Sequence, residues 1–285
     1  MEIKEYLLNL HVCPGIGVAS EHRILNFIQQ TGLFPNKNDL SEILKLQTTK
    51  ASQIIYNLNS KQNFKLVQDT LKIAKVVTLI DDNYPQKLKE TYHPPLVMFY
   101  QGDLTLTENK ILAVVGARQN SQYANLVLQT LLPQIVSQNI VTVSGLAQGV
   151  DSICHRITLA NAGKTIGVIG TGLDFHYPKC NFELQEYLGA NHLVLTEYPV
   201  GQGPKKHHFP MRNRIIAGLC DSLLVVEAKK RSGSLITANL ALEENRNVLA
   251  VPGRIDHSLS AGCNQLISEG AKMILSSADI MEEFR

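Results

Sequence analysis

The sequence lacks cysteine pairs of the CxxC kind, although it contains five cysteines in 285 residues. An odd number of scattered cysteines argues against a disulfide framework, and the missing pairs argue against a zinc ribbon. We therefore interpret these residues as small side chains of the core or the near surface. They are Cys13, Cys154, Cys180, Cys220 and Cys263.

Long apolar runs and an excess of one charge sign are missing as well. No apolar run is long enough to span a bilayer, and the mixed charges of Glu2, Lys4 and Glu5 do not suit a signal peptide. We expect a cytoplasmic protein without membrane contact. Lys and Arg number 27 against 25 Asp and Glu, a net charge of +2, so binding depends on where the charges lie.

Residues 1–75 are predicted to form a small helical domain. Apolar residues recur there at spacings of three and four, as in Ile24, Leu25 and Ile28. The glycine-bracketed turn of residues 13–17 resembles a helix-hairpin-helix turn, whose backbone amides can hold a phosphate. A tight interhelical turn that needs glycine for its dihedral angles explains the same residues, and both interpretations stay open.

Residues 76–285 are predicted to form an α/β domain, in which short β-branched runs alternate with amphipathic helices from Lys110 onward. Strands this uniformly apolar are buried on both faces, which predicts a Rossmann-like, doubly wound and mostly parallel sheet in three layers. Pro133 lies inside one helical run and should kink or shorten it. The predicted strands are 76–80, 96–100, 111–115, 140–143, 165–169, 192–195, 223–226 and 248–251.

The loops that follow the later strands are rich in glycine. In an open parallel sheet these loops meet at one edge, where ligands bind at the switch point. Exposed amides and helix N-termini favour an anion there, although any one glycine can simply serve a tight turn. The loops are 116–118, 144–149, 170–172, 197–210 and 228–234.

Two of these loops also concentrate positive charge, a distribution expected for phosphate binding. Between positions 201 and 231, seven cations face only two acids, Asp221 and Glu227. Arg118 follows a glycine directly after a strand. The seven cations are Lys205, Lys206, Arg212, Arg214, Lys229, Lys230 and Arg231, of which Arg212 and Arg214 flank Asn213 at a predicted helix start and suit forked phosphate contacts.

Hydroxyl groups and aromatic rings lie among these cations. Ser232 and Ser234 open a helix and can offer hydroxyls and amides to a phosphate, or can simply cap the helix. Phe175, Tyr177 and Phe209 can stack on unpaired bases, or can pack in the core as most aromatic side chains do.

Several motifs in series resemble the DNA-processing protein A (DprA/Smf) family. The resemblance covers residues 79–284 and is specific, because the motifs match in order and in spacing. They are VVGAR at 114–118, SGLAQGVD at 144–151, GTGLD at 170–174 followed by Tyr177 and Pro178, FPMRNRIIAG at 209–218, RSGSLIT at 231–237 and VPG at 251–253.

This resemblance implies an extended Rossmann fold after a sterile-alpha-motif-like helical domain, as in streptococcal or lactobacillal-type members without a C-terminal winged-helix domain. It implies a homodimer joined through the C-terminal part of the Rossmann domain. It also implies preference for single-stranded over duplex DNA, protection of incoming DNA, and loading of the RecA recombinase during natural transformation, in the presence of single-strand-binding protein. Arg118 would be the family's phosphate-anchoring arginine and Lys179 its second basic contact, whereas Ala117 lacks the family's usual hydroxyl.

Enzyme classes fit the residues less well. A Rossmann-type nucleotide-binding enzyme related to the lysine-decarboxylase-like phosphoribohydrolases would resemble Pro-Gly-Gly-x-Gly-Thr with a following glutamate, whereas residues 230–237 read KRSGSLIT. A dehydrogenase would need GxGxxG, which neither 116–118 nor 170–172 completes. A nuclease would cluster carboxylates around Mg²⁺, but the acids of these loops are dispersed. We expect no catalytic residue, no metal site and no cofactor.

The sequence thus predicts a protein that holds the backbone of single-stranded DNA at the carboxyl edge of its sheet. The residues of the predicted interface are Gly116, Arg118, Ser144, Gly145, Gly172, Phe175, Tyr177, Lys179, Arg212, Asn213, Arg214, Arg231, Ser232 and Ser234.

Overall fold

The computed structural model describes residues 2–285, which begin with a group of five helices. The side chain of Asn36 accepts a hydrogen bond from the amide of Asp39, and the Asp39 carboxylate accepts one from the amide of Asn36, so that a capping box starts the third helix. Ser60 caps the fifth helix by accepting from the amide of Asn63. The five helices are α1 Ile3–His11, α2 Val18–Thr31, α3 Lys37–Leu44, α4 Thr48–Leu58 and α5 Lys61–Leu71.

Nine strands among the described residues form a single sheet, in the order β1-β2-β6-β5-β4-β3-β7-β8-β9. The strands from β6 to β9 in this order are parallel, and β1 and β2 extend the sheet in antiparallel fashion. The predicted mostly parallel sheet is confirmed. The strands are β1 Lys75–Thr78, β2 Val97–Gly102, β3 Ile111–Val115, β4 Val141–Ser144, β5 Thr165–Val168, β6 Leu193–Thr196, β7 Ser222–Val225, β8 Asn247–Ala250 and β9 Lys272–Met273.

Helices cover both faces of the sheet and complete the three layers. On one face Val115 of β3 packs with Ile215 of the helix His208–Leu219, and on the other face its neighbour Val114 packs with Leu128 of the helix Gln122–Ser137. Alternate residues of a strand therefore enter two different cores, which explains why the strands are apolar throughout. None of the helices within residues 2–285 has the length and apolar character needed to cross a membrane. The later helices are α6 Gln86–Lys89, α7 Gln122–Ser137, α8 Val150–Ala160, α9 Phe182–Asn191, α10 His208–Leu219, α11 Gly233–Glu243, α12 Ala261–Ser268 and α13 Ser277–Met281.

The N-terminal helices pack directly on the sheet. One apolar cluster contains Leu7 and Leu10 of α1 together with Phe99 of β2 and Val194 of β6. Helix α5 ends at Leu71 and β1 begins at Lys75, so residues 72–74 separate them, close to the predicted domain boundary. The division into a helical domain of residues 1–75 and a Rossmann domain of residues 76–285 stays a prediction.

Helix α7 is longer than its proline would suggest. It continues through Pro133 to Ser137, so the proline does not shorten the helix, and the alternative of a kink stays a prediction. Proline removes one helical hydrogen bond. Burial of Leu128, Leu132 and Ile135 against the sheet stabilises the helix on both sides of the proline, and tertiary packing of this kind outweighs local propensity.

The order of the strands reverses beside β3. The chain leaves β3 to form β4 on one side and later returns to form β7 on the other side. Ligands of open parallel sheets bind outside the carboxyl ends of the strands at such a switch point. The loops after β3, β4, β5 and β7 surround it.

Candidate nucleic-acid interface

A groove of about 820 Å³ lies at the switch point and continues into a recess of about 130 Å³. The loops after β3, β4 and β7 and the first turns of α10 and α11 line the groove. The recess lies between the loops after β4 and β5 and helix α10. The two cavities share Arg118, Ala147, Gln148, Tyr177, Phe209 and Arg212.

Arg118 is the exposed cation at the junction of groove and recess. Its guanidinium carbon lies 5.3 Å from the centre of the Phe209 ring, and the Tyr177 ring lies 5.6 Å from the same ring. A cation over an aromatic face keeps the guanidinium in place while its N–H groups stay available. No carboxylate within the described residues forms an ion pair with Arg118. Its charge is therefore free for a ligand.

Arg212 is the buried cation beneath the same junction, with 4% of its surface exposed. Its nearest carboxylate is that of Asp151, at 3.8 Å, and its Nε has no hydrogen-bond partner among residues 2–285. Burial lowers the pKa of Arg212, although Asp151 acts against this shift. Burial also raises the pKa of Asp151, although Arg212 acts against it. Because Asp151 lies 3.8 Å from Arg212, beyond normal hydrogen-bond distance, N–H groups of the guanidinium remain able to donate to an anion in the groove.

Two of the predicted glycines are needed for close packing around these arginines. A Cβ atom on Gly145 would lie 1.2 Å from Nη1 of Arg212, so only glycine leaves room for the guanidinium. A Cβ atom on Gly116 would lie 2.6 Å from the side chain of Val150, the first residue of α8. These glycines let the loops after β3 and β4 approach α8 and α10.

The N-terminus of α11 opens into the groove. Ser232 is its N-cap residue, but its side chain accepts no capping hydrogen bond, and its buried Oγ has no partner within the described part of the chain. Ser234 donates its hydroxyl to the carbonyl of Gly116 at 2.8 Å, which ties α11 to the loop after β3. Free amides at the start of a helix favour an anion. Arg231 precedes them in a left-handed conformation, with φ of 71°.

Two of the predicted contacts are corrected by the structure. Ser144 has no exposed surface and donates its hydroxyl to the carbonyl of Val114 at 2.6 Å, so its side chain ties β4 to β3. Arg214 points away from the groove, because it binds the carboxylate of Glu197 and donates to the carbonyl of His93 at 2.8 Å. Both residues support the site without lining it.

Three further predicted residues lie beside the cavities. Gly172, Phe175 and Lys179 follow β5 but line neither the groove nor the recess. Lys179 is exposed next to Pro178, which lines the recess, so its ammonium group lies within reach of a longer ligand. The direct contacts of these three residues stay predictions. The other predicted residues Gly116, Arg118, Gly145, Tyr177, Arg212, Asn213, Arg231, Ser232 and Ser234 line the cavities.

The lining also contains residues that the predicted interface omits. Gln119 and Gln148 present amide groups, and Lys206 and Lys229 add positive charge. The two lysines belong to the cation cluster already visible in the sequence. The glutamines carry no charge, so their only sequence signal is their place in loops that follow β3 and β4.

Glu227 places a buried carboxylate at the start of α7. Its buried carboxylate accepts the amide of Ser121 at 2.8 Å and the hydroxyl of Ser121 at 2.5 Å, at the start of α7. The first helix after the first parallel strand is the usual pyrophosphate site of this fold. Here the chain supplies its own anion. Among residues 2–285, no three His, Cys, Asp or Glu side chains cluster as metal ligands.

The fold and the groove define an extended Rossmann-like α/β protein with a cationic ligand groove at its switch point. The chain belongs to the DNA recombination-mediator protein A family, whose model matches residues 75–285. The DNA processing protein DprA of Streptococcus pneumoniae is 51% identical over 207 residues, 73% of each chain. This family membership confirms the resemblance seen in the motifs.

Two solved structures extend the comparison. The X-ray structure of DNA processing protein A from Streptococcus pneumoniae matches with a TM-score of 0.92 at 40% identity and covers 100% of this chain and 99% of its own. DNA processing protein A from Helicobacter pylori, whose structure concerns its single-stranded DNA binding mode, matches with a TM-score of 0.66 at 30% identity and covers 74% of this chain and 95% of its own. The predicted fold, including the helical N-terminal part, is confirmed.

Proposed function

We propose that the groove binds single-stranded DNA through its phosphates, and that the protein protects incoming DNA in the cytoplasm and loads the RecA recombinase onto it. One observation carries this proposal. Five cations line the groove, whereas Asp151, which faces Arg212, is the single acid among the described lining residues. A groove with this surplus attracts a polyanion. The cations are Arg118, Lys206, Arg212, Lys229 and Arg231.

The aromatic rings support a preference for single strands. Tyr177 and Phe209 lie beside Arg118, with Tyr177 exposed. Unpaired bases can stack on such rings, whereas the bases of a duplex are already stacked on each other. The Helicobacter pylori relative, for which a single-stranded DNA binding mode is described, supports the same preference. Contacts to phosphates and ring faces predict little dependence on base sequence.

Competition between strand types tests the proposal. A labelled oligo-dT bound to the protein should be displaced by unlabelled single strands at lower concentration than by a duplex of equal length, as followed by fluorescence anisotropy. Affinity for the single strand should also fall steeply as salt rises from about 50 to about 200 mM. Equal displacement by duplex, or an affinity that does not respond to salt, would overturn the proposal.

The recombinase step and the homodimer have separate support. The family is described as a recombination mediator. The homodimer rests on the family resemblance, and exposed apolar side chains of the C-terminal part of the Rossmann domain, such as Ile255 at 98% and Leu275 at 71%, are accessible to a second copy. The RecA step predicts faster RecA ATP hydrolysis on strands coated with single-strand-binding protein when this protein is added. If the protein does not accelerate RecA ATP hydrolysis, the proposed loading role is wrong. If its mass in solution is that of a monomer, the proposed homodimer is wrong.

The nucleotide-enzyme alternative has a direct test. Because the Glu227 carboxylate already occupies the start of α7, we expect no release of free base from nucleoside monophosphates. Base release that disappears when the residues of the groove are substituted would favour the enzyme over the binding protein.

A further inference from the structure

A buried group of four charged side chains joins the N-terminal helices to the sheet. His11 ends α1, Glu21 lies on α2, Glu197 directly follows β6, and Arg214 lies on α10. Nδ1 of His11 lies 2.9 Å from the Glu21 carboxylate, and its Nε2 lies 2.6 Å from the Glu197 carbonyl oxygen. Arg214 binds the Glu197 carboxylate. We call these four residues the charged joint.

The geometry fits a protonated histidine in the charged joint, with Glu21 as a carboxylate. A carboxylate and a carbonyl oxygen both accept hydrogen bonds, and a neutral imidazole donates only one. His11 therefore needs a proton on both ring nitrogens to satisfy both partners. With His11 charged, two cations balance two carboxylates in the interior. Without that proton the joint carries an uncompensated negative charge, which is costly in a buried site.

The charged joint anchors both ends of one wall of the groove. Glu197 begins the segment that leads from β6 into α10, and Arg214 directly follows the groove residue Asn213, with Ile216 the one later residue of α10 that lines the groove. The residues between them that line the groove are Lys206, Phe209, Pro210, Arg212 and Asn213. Arg212 and Arg214 are two residues apart, which places them about 200° apart around α10, one toward the groove and one toward the joint.

We propose that His11, Glu21, Glu197 and Arg214 are positioning residues for the groove, so that the N-terminal helices set its affinity for single-stranded DNA without touching the DNA. This inference depends on the proposed function. Among residues 2–285, all that line the groove or the recess lie between Val115 and Leu259, so no residue of the N-terminal helices lines either cavity.

Two groups of the charged joint have a shifted pKa: burial raises the pKa of Glu197, although Arg214 and His11 act against this shift, and the pKa of His11 is raised into the alkaline range. Burial alone would lower the pKa of His11, but the Glu21 carboxylate and the Glu197 carbonyl raise it to about 9. Tyr84 and Tyr198 interact electrostatically with Glu197 and Arg214. Burial raises the pKa of each tyrosine above its ordinary value, so both stay neutral. Burial lowers the pKa of the neighbouring His22, which also faces His93, Glu21 and Arg214.

The test compares wild type with His11→Gln in single-strand binding at several pH values. At about pH 7 the variant should bind oligo-dT about fivefold or more weakly, the lower range of coupling between distant sites. The ratio of the two dissociation constants should fall toward one as the pH rises past about 9, because the wild type then loses the same charge. Lysine deprotonation affects both proteins equally and cancels in the ratio. The slope of affinity against salt should not change, because no phosphate contact is lost.

Two outcomes would overturn the inference. One is a ratio of one at all pH values, and the other is a weakened affinity whose ratio does not change with pH. If circular dichroism shows that His11→Gln is unfolded, Glu21→Gln, which keeps the shape of its side chain, replaces it in the same measurement. Its ratio of dissociation constants should also lie above one at about pH 7 and fall toward one at high pH, and either of the two outcomes above would again overturn the inference. Wild type that binds no single strand would contradict the proposed function instead, so the two failures are distinguishable.

Discussion

Gly145 and Arg212 are in contact so close that a Cβ atom at position 145 would lie 1.2 Å from Nη1 of the arginine. The backbone of the loop after β4 thus forms one wall of the slot that holds the guanidinium. Arg212 comes from α10, which follows Gly145 by more than one strand and helix in the chain. The contact joins the loop after β4 and helix α10 into one site.

A methyl group at this position should disturb the site. Gly145→Ala should displace Arg212 and lower the free energy of unfolding by about 1–3 kcal/mol, the usual cost of overpacking. Single-strand affinity should fall as well. Urea denaturation and anisotropy measure the two effects. Gly233→Ala is the matched control, because a Cβ atom there meets nothing within 4 Å, and its stability should stay unchanged. Equal stability of both variants would contradict the packing described for Arg212.

The carboxylate of Glu227 should matter for stability. It accepts two hydrogen bonds from Ser121 at the start of α7 and is 1% exposed. Glu227→Ala should lower the free energy of unfolding by about 1.5–3 kcal/mol, since two hydrogen bonds to a charged group are lost and the half-buried amide and hydroxyl of Ser121 lose their acceptor. Glu243→Ala, at an exposed glutamate of α11, should change it by less than about 0.5 kcal/mol. Similar small effects of both variants would show that Glu227 does not anchor α7.

The raised pKa of His11 predicts how stability depends on pH. A histidine whose pKa rises on folding, here to about 9, stabilises the folded state fully below its unfolded pKa of about 6.5, and this contribution is lost as the pH rises through about 9. The loss should amount to about 3 kcal/mol. Urea denaturation between these pH values measures it. His11→Gln should lack this part of the dependence, and a variant with the same pH profile as wild type would contradict the account.

The overall fold was predictable because its signals are local. The run Ile111–Val115 is apolar at every position, which indicates a strand buried on both faces, and β3 has these bounds. The pairing of strands has no such signal. The antiparallel β1 and β2 add to the sheet through β6, and the two residues of β9 pair with β8 although no apolar run marks them.

The site was predictable only in part, because side-chain direction depends on the tertiary structure. Arg212 and Arg214 look equivalent in the sequence, because both flank Asn213 at the predicted helix start. Helix α10 begins at His208, so both lie within it, on different faces, and only Arg212 reaches the groove. Gly145 lines the recess, and its predicted contact with a ligand stays a prediction, but its second role of making room for a side chain from another element has no signal in the sequence. The acceptor for Ser144 likewise lies on β3, which only the folded sheet brings near.

The slope of single-strand affinity against salt, measured for Arg118→Ala and its control Arg156→Ala, tests the central claim most directly. Arg156 is an exposed arginine of α8 that lines neither cavity. If Arg118 neutralises one phosphate, Arg118→Ala should bind oligo-dT about tenfold more weakly and its log-log slope should flatten by about 0.7, while the control keeps the wild-type values. An unchanged slope for Arg118→Ala, or the same change in both variants, would contradict a phosphate site in this groove.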